Sequence, residues 1–427
     1  MKTYLTSLVL LLPLSALAGP DWEELDALIA ADAGQVIELR RWFHEFPELS
    51  NREFNTSKRV AEELTALGME VETGIAHTGV IGYLRGGKPG PTVAIRADMD
   101  GLPVREQTGL PFASRITGEF TGKEVGVMHA CGHDTHMAMA LGVARTLSKV
   151  KDQLAGNVLF IFQPAEEGAP EGEEGGAELM LKEGLFERYP IEAIFGLHVG
   201  LGIPGGSIAV RPGVIMAAVD IFKIIVKGRQ THGARPWAGV DPIVTASHIV
   251  VALQTIVSRM LDITKAPAIV TVGKFTGGIR HNIIPDEVEL WGTIRSFDPD
   301  MRLDIHKWVK QIAENIAASQ DATVDVSIDY GYPATFNDPG LTQKMLPTLE
   351  KVAGDKAIIT PGILTVAEDF SFFAELVPGL YIGLGSAAAG VDQATAPNNH
   401  SPLFDVEEEH LQTGTRALTH LVVDYLE

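Results

Sequence analysis

The sequence is short of cysteine, of positive charge and of long apolar runs. Cys131 is the single cysteine among 427 residues, so no disulfide framework within the chain holds the fold. Lys and Arg number 34 against 55 Asp and Glu, and the formal charge of −21 argues against nucleic acid and anionic membrane surfaces as partners. Leu5 to Leu14 is apolar but too short to span a bilayer as a mature helix. With Lys2 before it and Ala16-Leu17-Ala18 after it, this run has the form of an export signal. The expectation is a signal peptide over residues 1–18 and a protein that is exported, periplasmic or secreted. Gly19, not a cysteine, directly follows Ala18, so the pattern excludes a lipid anchor there, and no later segment looks transmembrane.

A length of 427 residues exceeds one ordinary core and predicts two domains or one domain with a large insertion. A hydrophobic content of 45% with 21% charged residues is that of a globular protein. Helical spacing runs through Trp22–Phe46, Asn55–Leu67 and Thr135–Val150. The runs Thr92–Arg96, Asn157–Phe162 and Ala193–Leu197 lack polar alternation, as strands buried on both faces do. Strand and helix alternating in this way predict a mostly parallel or mixed sheet covered by helices. Near Gly213 the pattern changes. Val219–Lys227, Ala268–Phe275, Glu287–Phe297 and Thr323–Ile328 read as strands, with helices at Asp241–Leu261 and Met301–Ser319. This strand, helix, strand, strand, helix, strand order predicts an inserted α+β domain of ferredoxin-like topology. The expected organisation is α/β: a catalytic domain over 19–213 and 329–427, interrupted by an inserted domain over 214–328.

An exported protein normally uses cysteine in pairs, so a lone one needs another purpose. Cys131 lies within Met128-His129-Ala130-Cys131-Gly132-His133-Asp134-Thr135-His136. A thiolate flanked by histidines suits a soft or borderline metal such as zinc. Cys131 and His133 project to one side if the segment is extended, and Asp134 stands where a helix N-cap belongs. Glu166-Glu167 follows the Asn157–Phe162 strand and His198 follows Ala193–Leu197, and open α/β sheets build their sites at such strand ends. His400 lies in the turn-forming Asn398–Pro402. Cys131, His133, Glu167, His198 and His400 suit a two-metal site in which one ligand and a water bridge the ions. Glu166 is left over as the base that hydrolysis needs beside such a centre. The rival is a non-catalytic periplasmic metal- or ligand-binding protein, which has no use for an unligated carboxylate there.

Seven segments in order resemble the metal-dependent aminoacylase, hippurate hydrolase and auxin-conjugate hydrolase family, related to the carboxypeptidase-G-type dinuclear peptidases. They are Arg96–Pro103, His129–Asp134, Gln163–Gly168, Gly196–His198, Asn282–Pro285, Glu368–Ser371 and His400–Pro402. The resemblance implies Cys131, His133, Glu167, His198 and His400 as metal ligands and Glu166 as general base. It implies two divalent ions, zinc first, with manganese, cobalt or nickel as alternatives. It also implies an amidohydrolase acting on N-acyl amino acids or related conjugates, with a dipeptidase or carboxypeptidase as the alternative. The inserted domain is implied to be a lid that commonly mediates dimerisation, giving a homodimer or higher homo-oligomer. Lys227–Pro236 resembles the family's Gly-rich lid stretch, which makes His232 a stabiliser of the oxyanion. Here Arg229-Gln230-Thr231 replaces the usual small residues, and Trp237 stands where a second histidine is common. Asn282 and Arg295 are either contacts for the substrate carboxylate or structural. Asp98 either orients a ligand from behind or serves a turn.

Overall fold

The computed structural model describes residues 19–200, 202–356, 358–359, 362–388, 390–392 and 395–427. The expected signal segment, 1–18, lies outside them. Two sheets organise the chain. The larger has the spatial order Glu70–Ile75, Gly79–Arg85, Ala155–Gln163, Lys88–Asp98, Ala193–Gly200, Gly379–Gly385, Ile208–Ala209 and Ile358–Ile359. Its centre is parallel: Lys88–Asp98 runs alongside Ala155–Gln163 on one side and Ala193–Gly200 on the other. Gly379–Gly385 continues in the same sense, whereas the Gly79–Arg85 edge is antiparallel. The sheet is therefore mixed.

Aliphatic runs form these strands because both faces are covered. Val158, Phe160 and Phe162 enter one core with the helices Trp22–Glu45, His133–Lys149 and Leu411–Leu426. The alternate residues Leu159 and Ile161 enter a second core with Ala177, Met180 and Phe373. Strand order reverses around Lys88–Asp98, whose two neighbours follow it in the chain on opposite sides. The crevice of a doubly wound sheet opens beyond the carboxyl ends of strands flanking such a reversal. Asp98, Gln163 and His198 all stand at that end.

The second sheet has the order Ala268–Gly277, Glu287–Ser296, Ala218–Lys227, Thr323–Tyr330, antiparallel throughout. The helices Pro242–Thr255 and Pro299–Ala318 pack on one face, joined to it through Phe222, Ile224, Leu253, Leu290 and Val309. This is the ferredoxin-like order. The long helix expected to reach Leu261 is α only to Thr255 and then widens into a π turn over Ile256–Met260. Asp241, Asp298 and Asp338 each cap a helix whose next residue is proline. The carboxylate satisfies free N–H groups and the proline gives up none.

Asp134 departs from its expected place. The helix begins two residues earlier than expected, at His133, with Gly132 as the N-cap at φ 100°, and Asp134 makes no capping bond. Its carboxylate instead receives Arg40 Nε at 2.9 Å and His44 Nδ1 at 2.8 Å, all three side chains being 1% exposed. Arg40 also reaches Asp405 at 2.8 Å, so one buried cation joins the first helix, the helix behind the site and the C-terminal segment.

Burial alone would lower the pKa of His44, but Asp134 and Glu106 outweigh it and raise the imidazole to about 9. A raised folded-state value stabilises below the unfolded pKa of about 6.5, and that stability is lost as pH climbs through about 9. Urea unfolding of the parent and of His44→Gln should therefore differ most near pH 6, and the gap should shrink between pH 7 and 9. A gap that grows with pH over that range would contradict the assignment.

Candidate metal and catalytic centre

Two chain segments converge at the end of Lys88–Asp98. The first is the Cys131–His133 junction, where Gly132 must take a positive φ. A Cβ on Gly132 would meet Val199 Cγ2 at 2.3 Å, so the site has no room for any other residue. The second is the turn after Gln163, where Ala165 is held at φ 52°. Asp100 fixes both. Its Oδ1 and Oδ2 accept the N–H groups of Glu166 and Glu167, each at 3.0 Å. Its backbone carbonyl lies 2.8 Å from His133 Nδ1. A carbonyl only accepts, so Nδ1 carries the proton and Nε2 keeps a free lone pair.

That Nε2 atom is buried and has no hydrogen-bond partner among the described residues. His198 repeats the arrangement, with Nδ1 2.8 Å from the Val199 carbonyl and Nε2 3.4 Å from Cys131 Sγ. His198 lies inside the strand Ala193–Gly200, not after it. From the far side, His400 takes φ 70° and brings Nε2 to 3.0 Å from Glu167 Oε1. Asn399 secures this loop by donating to the Cys131 carbonyl at 2.9 Å and the Val199 carbonyl at 3.3 Å.

Donor atoms within 4.8 Å of one another form five groups among the described residues: Cys131–His133–His198, Cys131–Glu167–His400, His133–Glu166–Glu167, Asp98–His133–His136 and Glu166–Glu368–Asp369. The first two triads together hold the five sequence-nominated ligands. Cys131 belongs to both. His133 Nε2 and Glu167 Oε1 are buried without a hydrogen-bond partner among the described residues, and this thiolate, imidazole and carboxylate donor set fits divalent ions of the zinc type. The structure thus brings together all five sequence-nominated ligands.

Glu166 stands beside them, Oε2 3.7 Å from His133 Nε2 and the side chain 7% exposed. Burial, then the charges of Glu368 and Glu167, push its carboxyl well above the usual range, with His133 partly offsetting them. The neighbouring carboxylates have their own cation. Arg96, fully enclosed, binds Asp98 at 2.7 Å, Asp369 at 2.8 Å and Glu368 at 2.9 Å.

Asp98 does orient a histidine, but a different one from the ligands. Its Oδ1 is 2.7 Å from His136 Nδ1, and His136 Nε2 accepts the Val199 N–H at 3.0 Å. His136, with both nitrogens engaged, holds the His198 strand in place. Sequence reasoning missed this role and that of Asp100, although both aspartates fall in the Arg96–Pro103 segment.

His232 stands elsewhere. It is exposed on the inserted unit, in a two-residue ladder with Ile283–Ile284, and Gly233 N–H donates to the Asn282 carbonyl at 2.8 Å. His232 and Asn282 are thus neighbours. Among the described residues neither makes a hydrogen bond or ion pair to the Cys131 cluster. Arg295 spends its guanidinium on the carbonyls of Thr365 and Ile294, both at 3.2 Å.

Comparison with known proteins shows the family. Residues 94–424 match the model of peptidase family M20/M25/M40. The chain belongs to that family. Among M20 relatives it is 41% identical over 392 residues to thermostable carboxypeptidase 1 of Saccharolobus solfataricus, spanning 91% of this chain and 95% of that one. It is 37% identical over 377 residues to an N-acetyl-L-cysteine deacetylase of Bacillus subtilis, spanning 88% and 84% respectively. The crystal structure of the Bacillus subtilis YXEP protein, described as a dinuclear metal-binding peptidase of family M20, superposes with a TM-score of 0.77 at 33% identity. That match covers 93% of this chain and 99% of that one.

The cramped Gly132 gives a direct check. Gly132→Ala should weaken zinc affinity by tenfold or more, measured by competition with a chromogenic chelator, while far-UV circular dichroism stays that of the parent. Unchanged affinity would mean that the Cys131–His133 spacing is not what holds the metal.

Proposed function

We propose that this M20 enzyme is a dinuclear metallohydrolase that cleaves the amide bond of N-acyl amino acids or related conjugates. The observation that carries the reading is the pair of triads sharing Cys131, with Glu166 beside them and outside both. Cys131, His133 and His198 would hold one ion, and Cys131, Glu167 and His400 the other, with zinc the natural fit to a thiolate and imidazole set. Two such ions supply Lewis acidity toward a carbonyl and make water a nucleophile near neutral pH. Glu166 Oε2 takes the proton from the attacking water and returns it to the leaving nitrogen. Its Oε2 lies 3.7 Å from His133 Nε2, which puts the base beside the ligand set.

His232 enters only if the inserted unit closes as a lid or a second copy supplies it, and its role is then a hydrogen bond to the oxyanion. The similarity to an N-acetyl-L-cysteine deacetylase supports the acyl-amino-acid reading. The similarity to a carboxypeptidase keeps peptides as the second substrate class. Export is proposed on Lys2, Leu5–Leu14 and Ala16-Leu17-Ala18 alone.

A panel of N-acetyl, N-benzoyl and indoleacetyl amino acids with dipeptides should show amide hydrolysis that a chelator abolishes and added zinc or manganese restores. Glu166→Gln should keep both metals and lose on the order of 10² to 10⁴ in kcat. Activity within a few-fold of the parent would remove Glu166 from the role. His232→Ala should keep its metals and lose about a hundredfold in kcat, as removal of one oxyanion donor does. A rise in KM alone would make His232 a binding residue.

A further inference from the structure

The chain leaves the main sheet through Gly213–Met216 and returns through Thr335–Asn337, and these short strands pair antiparallel. Just inside the inserted unit the two crossings touch again, Val219 N–H donating to the Tyr332 carbonyl at 3.0 Å. Asp220 locks the exit. Its buried carboxylate collects Arg302 Nε at 3.0 Å, His306 Nε2 at 2.6 Å and the Gly331 N–H at 3.2 Å. A Cβ on Gly331 would lie 2.5 Å from the Val219 carbonyl oxygen, so the exit strand sits flush against the entry strand.

The next residue leaves this lock and touches the candidate centre. The Tyr332 hydroxyl donates to the Glu166 carbonyl oxygen at 2.7 Å, and its ring stands edge-on to Phe372 at 5.9 Å. The Glu166 carbonyl and the Glu167 N–H belong to one peptide plane. Asp100 Oδ2 holds the N–H side at 3.0 Å and Tyr332 holds the carbonyl side. That plane follows Ala165, whose φ of 52° leaves the turn few alternatives. The plane is rigid, so a displacement of it carries the Cα atoms of Glu166 and Glu167 and shifts the Glu166 carboxylate relative to His133.

We infer that Tyr332 is a positioning residue that couples the aim of the Glu166 carboxylate to the strand on which the inserted unit is hung. The inference rests on the reading of Glu166 as general base. Closure or opening of the inserted unit moves Tyr332, and the Tyr332 hydroxyl passes that movement to the peptide that carries the base. No other hydrogen bond among the described residues ties the exit strand to the Glu166–Glu167 turn.

The test uses the full metal-loaded chain. Tyr332→Phe removes the hydroxyl and keeps the ring against Phe372, and Tyr330→Phe, on an exposed neighbour at 65%, serves as control. Losing one aligned hydrogen bond corresponds to roughly a tenfold effect. The expected result is kcat lowered about tenfold for every substrate cleaved, KM within twofold, bound metal unchanged and the control at parent activity. In a Glu166→Gln background the same substitution should cost less than twofold, because the group it positions is gone. An unchanged kcat in folded Tyr332→Phe, a loss confined to KM, a loss of metal, or full additivity with Glu166→Gln would each overturn the inference. Failure of the parent itself to hydrolyse any amide would instead remove the underlying function, so the two failures are separable.

Discussion

The site depends on Asp100. One buried aspartate fixes the two glutamates through their N–H groups and one histidine through its backbone carbonyl. Ser50 adds a third donor, at 2.8 Å to Oδ2. Burial alone would raise the pKa of this carboxyl, yet His133, the Glu167 N–H and Ser50 hold it below the usual range. The geometry demands an ionised carboxylate. An asparagine would turn an NH₂ group toward one of two N–H donors, and that donor would be left buried without a partner. Asp100 thus fixes the backbone of both glutamates and engages Nδ1 of His133, leaving Nε2 without a hydrogen-bond partner among the described residues.

Around this anchor the protein gathers more negative charge than a buried region tolerates by itself. Asp98, Asp100, Glu166, Glu368 and Asp369 lie within the same enclosed region. Arg96 neutralises part of it by bridging three of them, and divalent ions held by the two triads would neutralise more. The outer ring of cations and acids, Arg40, His44 and Asp134, lies on the other side of the His133–Lys149 helix start. It braces the helix without touching the triads. The hydrogen bonds of His136 to Asp98 and from the Val199 N–H do the same for the strand that carries His198.

Much of this was legible in the sequence because the site is built at strand ends. Glu167 follows a buried strand, His198 stands near the end of another, and Cys131 and His133 precede a periodic helix, so local pattern alone brought these residues to one edge. Roles set by distant partners were hidden. Asp134 looks like a cap locally, and only the folded chain shows Arg40 and His44, 94 and 90 residues away, claiming its carboxylate. Ile208–Ala209 and Ile358–Ile359 are two-residue strands with no periodicity to detect. Asp100 falls within the Arg96–Pro103 motif, but its work lies in bonds to residues 66 and 67 positions later. His232 carries a recognisable local setting, and the fold leaves it exposed on the inserted unit, paired with Ile283.

The central claim is that Cys131 serves two ions while Glu166 serves neither. Anomalous diffraction from crystals of zinc-loaded protein, recorded on both sides of the metal edge, tests it most directly. The account predicts two peaks, one among Cys131, His133 and His198 and one among Cys131, Glu167 and His400, with Glu166 oxygens outside bonding distance of both. A single peak, a pair centred on Asp98 and His136, or a zinc bonded to Glu166 would contradict it.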